Sequence, residues 1–143
     1  MSTKAELQAL WSGFTFQPAA DAAELDAINT ALHISLPPRL RALLTETNGI
    51  SAHFGAPVLF SASAIVSENL KMRSDKLCDL YMPFDSLLFF GGNGGGDLFG
   101  FRILPTKVDT LHIYRWDHET DGRECFCYSL QQYFERVKEG AIL

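Results

Sequence analysis

The sequence predicts an α+β domain: helices packed on a largely antiparallel sheet, with a helix closing the chain. Three observations predict it. Apolar residues recur at helical spacing in the first half, and from residue 87 strand-sized apolar runs follow one another between Gly- and Asp-rich turns. A capping signature at Ser129 then opens a last helix. The 143 residues suit one domain spanning 1–143, because single cores usually split only beyond about 250 residues.

Residues 3–11 suit a short amphipathic helix, followed by a loop around Phe16-Gln17-Pro18. Leu25, Ile28 and Leu32 share a helical face over about 20–32. Ser35-Leu36-Pro37-Pro38 opens a second helix, since Pro is tolerated in a first turn. Leu40, Leu43, Leu44 and Thr47 line its inner face, and Asn48-Gly49 ends it. Arg39 and Arg41 sit near its positive end, where the helix dipole disfavours them. Pro57–Phe60 reads as a short strand, and Ser61 caps a helix running to about Asn69-Leu70.

Leu87–Phe90 is apolar on both faces, which suits a central strand. The run Gly91–Asp97 is a turn, leading into a strand over 98–104 with Phe99, Phe101 and Ile103 on one face. Further strands follow at Leu111–Trp116 and Glu124–Tyr128, joined by the polar loop Asp117–Gly122. Ser129 with Gln132 forms a capping box for a helix that turns Leu130, Tyr133, Phe134 and Val137 inward.

Composition excludes several functions. Seventeen acidic residues oppose twelve basic ones, a net charge of −5, so nucleic acid is not the expected partner. No apolar run is long enough to span a membrane, and the N-terminus lacks the apolar core of a signal peptide. Cys78, Cys125 and Cys127 match no zinc spacing and read as reduced, buried thiols in a cytoplasmic protein, with Cys125 and Cys127 facing one way on their strand.

The glycine run invites a phosphate-binding reading, but no Lys follows it and the next segment is a strand. Gly91, Gly94, Gly95 and Gly96 are therefore expected to shape a wide turn, with Asp97 bonding the loop amides. Asp97, His112, Asp117 and His118 could support a small metal-dependent hydrolase, yet Asp117-His118-Glu119-Thr120-Asp121 matches neither an EF-hand loop nor H-E-x-x-H. No nucleophile elbow occurs either. The expectation is no catalysis, no metal and no cofactor. What remains is an aromatic with four acids on one hairpin: Trp116, Asp117, His118, Glu119, Asp121 and Glu124 are the candidate protein-binding residues.

Several segments together resemble one family. Ile34–Leu44 followed by Asn48-Gly49 is similar to the opening of the SUKH superfamily, which includes the yeast cell-wall-assembly regulator and many bacterial immunity proteins. Phe60–Ile65 with Asn69, Leu88–Gly91 through Gly94–Asp97 to Phe101, Trp116–Glu119, and Ser129–Val137 resemble its later motifs in order. The resemblance covers about residues 20–140. Leu40, where an aromatic is common, and the extended segment 72–84 depart from the pattern. The resemblance implies an α+β domain without catalytic activity. In bacteria it implies a protein that binds and neutralises a cognate toxin, such as a basic nuclease; in fungi, a regulatory scaffold binding an endogenous protein.

Overall fold

The computed structural model describes residues 4–11, 13–77 and 79–142. Cys78 lies outside them. The elements in chain order are α1 (Lys4–Leu10), β1 (Thr15–Phe16), α2 (Ala22–Leu32), α3 (Pro38–Leu44), β2 (Ile50–Ser51), α4 (Ala62–Met72), β3 (Leu87–Gly92), β4 (Leu98–Ile103), β5 (Val108–Asp117), β6 (Gly122–Cys127) and α5 (Leu130–Lys138). This is the expected α+β arrangement. β3 to β6 form an antiparallel meander in the order β3-β4-β5-β6, and β1 pairs with β2 in a separate ribbon.

Local chemistry explains the helix boundaries. Asp21 caps α2 in a full capping box with Glu24, and Ser61 caps α4 by accepting from the Ala64 amide. Ser129 caps α5 through the Gln132 amide, but the return bond differs from the expected box: the Gln132 side chain accepts from Tyr128 N–H. α3 stops at Leu44, short of Asn48-Gly49. Thr47 is buried beyond it, its hydroxyl donating to the Gln17 and Gly49 carbonyls. Asn48 instead accepts from the Ala62 amide at 2.7 Å, tying this turn to the start of α4. Arg41 gains a partner that the dipole argument missed, Asp26 on α2 at 2.9 Å.

β3 is fully buried, as its composition requires, yet it is an edge strand rather than a central one. Its outer side is covered by groups that are not a strand. Asn69 of α4, 1% exposed, donates to the Phe89 carbonyl at 2.9 Å and accepts from the Phe89 amide at 2.8 Å, the two bonds a neighbouring strand would make. Segment 57–60, expected to be a strand, forms only an isolated bridge from Leu59 to Ile50. It nevertheless bonds the same edge, Phe60 N–H to the Phe90 carbonyl and Gly92 N–H to the Pro57 carbonyl. The Val58 carbonyl accepts from the buried Tyr133 hydroxyl at 2.6 Å, and a Cβ built on Gly91 would lie 2.2 Å from that carbonyl oxygen. Only glycine fits at position 91.

Apolar layers fill both faces of the sheet. Phe90 and Phe99 meet Tyr133 of α5, with Phe101 against Phe90 and Phe134 against Tyr133, while Phe89 packs with Phe84 and Trp116 on the other side. A bulge at Phe126 corrects one expectation. Cys127 pairs with Ile113 and Cys125 with Tyr114, adjacent residues of β5, so the two cysteines face opposite ways. Cys127 is buried, and its thiol is pushed up to about 11 by burial; Cys125 is exposed. No helix of the described residues is long and apolar enough to cross a membrane.

Candidate functional site

β5 and β6 carry the hairpin that the sequence singles out, and two carboxylates hold it to the rest of the fold. Asp97, at the end of the glycine run, lies opposite β5. Its Oδ2 accepts from Arg115 Nε at 3.0 Å and Nη2 at 2.8 Å. Its Oδ1 accepts from the His118 amide at 3.1 Å and lies 2.6 Å from His118 Nδ1. Burial opposes ionisation of Asp97, but the bonds from His118 and Arg115 together outweigh it and hold the carboxyl below its usual range. The His118 imidazole is raised above its ordinary value, first by the bond to Asp97 and then by the charges of Asp97, Glu119 and Asp117.

Asp97 does not bond the glycine-loop amides, as the sequence suggested. Asn93 does, its Oδ1 accepting from Gly95 N–H at 2.9 Å and Asp97 N–H at 3.2 Å. Gly91 and Gly92 belong to β3, so the turn proper is 93–97. Gly94 and Gly96 both take positive φ, and a Cβ on Gly96 would strike the His118 ring at 2.7 Å. That glycine leaves room for the imidazole to reach Asp97. Gly95 meets only the Asn93 side chain, in ordinary contact.

Asp121 is the second tie. Its Oδ1 accepts from Trp116 Nε1 at 2.8 Å and Arg123 Nη2 at 2.9 Å, and its Oδ2 from the Met82 amide at 2.9 Å. Burial works against its ionised form; the bonds from Met82, Trp116 and Arg123 prevail, and its pKa is lowered. Arg123 continues the tie, donating to the Met82 and Pro83 carbonyls.

The six candidate binding residues therefore divide. Trp116, 4% exposed, is a core ring packed against Tyr81 and Phe84. His118 and Asp121 are engaged in the two ties, and Asp117 accepts from the Glu119 amide at 2.8 Å. Glu119 and Glu124 are exposed on the frame so made. A shallow polar cleft of about 280 Å³ runs between Asp97, Arg115, Asp117 and Glu124. Sequence reasoning missed Asn93 and Arg115; the short gap from Asn93 to the following glycines is an Asx-turn signal that could have found the first.

The hydrolase set assembles only in part. His112 lies midway along β5 and bonds Asp109 at 3.1 Å instead. Asp97, Asp117 and His118 do offer ligand atoms within 4.8 Å of one another. But both Asp97 oxygens already accept hydrogen bonds, and Arg115 brings a positive charge to the same carboxylate. This is the chemistry of an ion-paired brace, and it fits a cation poorly.

The chain matches the model of a SUKH family described as SMI1-KNR4 cell-wall over residues 22–134. No curated protein matches it.

Proposed function

Because the chain belongs to the SMI1-KNR4 cell-wall family of the SUKH superfamily, we propose that it is a cytoplasmic protein-binding domain of the immunity type. It occludes a cognate bacterial protein toxin and performs no chemistry of its own. The observation that carries this reading is the braced acidic hairpin: Glu119 in its loop and Glu124 on β6 stand exposed on a frame that Asp97 and Asp121 fix from two sides. A rigid loop loses little freedom on docking, and surface carboxylates speed encounter with a basic toxin such as a nuclease. The family's cell-wall description favours a second reading, a regulatory domain that binds an endogenous protein.

The test begins with the neighbouring reading frame of the source genome. If it encodes a large secreted protein with a C-terminal toxin domain, co-expression of this chain should restore growth of cells making that domain. Glu119→Ser with Glu124→Ser should then slow association, most at low salt because surface charge is screened over about 8 Å at physiological ionic strength. The melting temperature should stay within about 2 °C, since neither side chain holds the fold. No rescue of growth would overturn the immunity reading. Rescue with unchanged association rates at low and high salt would move the binding surface away from the hairpin.

A further inference from the structure

The other end of β5 differs from the hairpin in every respect that governs recognition. Nine residue steps of strand separate Val108 from Asp117, roughly 30 Å. β6 pairs with β5 only from Ile113 onward, and the β4 ladder passes from Phe101–Ile113 straight to Arg102–Asp109, so Thr110, Leu111 and His112 bulge out of both pairings, with the Leu111 amide held by the Asp109 carboxylate. A groove runs along this bulge. Its two stretches, of about 410 and 630 Å³, share Pro37, Pro38 and Thr110 and so adjoin. Leu111 and Tyr128, 71% and 61% exposed, stand on its wall, a large apolar surface for a chain to leave in water.

Charge then selects the occupant. The chain carries 17 acidic and 12 basic residues, yet among the described residues no carboxylate lines this groove. Its charged lining there consists of Arg39 and Lys107, both exposed and without a side-chain partner among the described residues, with His33 beside them. The nearest acid, Asp109, is buried and already committed to Arg102, His112 and the Leu111 amide.

We propose that this groove is a docking site for an extended acidic segment of a protein partner, seated along the bulge at 110–112. Leu111 and Tyr128 take alternate apolar side chains, and Arg39 and Lys107 take the carboxylates. This surface is separate from the hairpin of the immunity reading and stands or falls without it.

The test uses fluorescence anisotropy on the full chain. The probes are a labelled peptide alternating Glu and Val and its twin with Lys for Glu. The Glu peptide should bind, and its affinity should fall by about tenfold or more with Arg39→Glu/Lys107→Glu and with Leu111→Ser/Tyr128→Ser. These four side chains are exposed, so melting curves should match the wild type. Glu119→Ser/Glu124→Ser should bind as the wild type does, and the Lys peptide should fail. Absence of Glu-peptide binding, equal binding of the Lys twin, or full affinity in both groove variants would overturn the proposal. So would sedimentation showing a dimer that the groove variants dissolve, since a second copy would then be the occupant.

Discussion

Replacing Asp97 by Ala removes four hydrogen bonds at once and leaves the Arg115 guanidinium beside an empty space. Breaking a buried ion pair from one side costs about 3–5 kcal/mol. The Asp97 side chain is 9% exposed, but that of Arg115 is 29% exposed, and its Nη1 and Nη2 still reach the Ala141 and Ile142 carbonyls. Water and those carbonyls absorb part of the penalty, so a loss of about 2–3 kcal/mol is expected. For a chain of this size that lowers the melting temperature by about 8–12 °C. The pH dependence follows from the two shifts. Asp97 has a lowered pKa, so its contribution is present above the ordinary carboxylate value and is lost as pH falls through the depressed one. His118 has a raised pKa, so its contribution is complete below the ordinary imidazole value and is lost as pH rises through the elevated one. The gap between wild type and Asp97→Ala should be widest between those limits. On the alkaline side it should narrow without closing, because Arg115 keeps its charge. His118→Ala should remove the alkaline narrowing and leave the acid limb. Melting curves by circular dichroism from about pH 4 to 9 check this. A variant that melts within about 2 °C of the wild type near pH 6 would refute the argument that Asp97 braces the hairpin.

Asn69→Leu keeps the branched shape and deletes both bonds to Phe89, leaving a buried amide and carbonyl unpaired. A cost of about 2–4 kcal/mol is expected in urea denaturation, with the slope unchanged. Gly91→Ala forces a methyl against the Val58 carbonyl and the Tyr133 hydroxyl, so the segment covering β3 must shift. The expected loss is about 2–3 kcal/mol, read as earlier melting together with faster amide exchange at Phe60 and Gly92.

How much of this was legible in the sequence depended on how local the cause was. The caps at Ser61 and Ser129, the apolar faces of α2 and α5 and the strand run from Leu87 onward are set by residues within a turn of one another, and they form where expected. β3 was misread as central because burial on both faces looks the same in sequence whether the edge is paired by a strand or by Asn69 and segment 57–60. The bulge at Phe126 was equally invisible, and it reversed the relation between Cys125 and Cys127. At the hairpin the sequence picked out the right loop but treated its acids as alike. Which of them face water depends on Arg115, Arg123 and Met82, and only the folded chain brings those groups to Asp97 and Asp121.

The covering of β3 also bears on the order in which the chain is made. A strand with a bare edge and apolar residues on both faces is a template for aggregation while a protein is still incomplete. Here the groups that satisfy that edge, Pro57, Phe60 and Asn69, all precede Leu87 in the sequence. During synthesis from the N-terminus they leave the ribosome before the strand they protect. The opposite side of β3 waits only for β4, which follows after the short turn 93–97. The most adhesive segment of the chain therefore emerges with one edge cover already made and the other a few residues behind it.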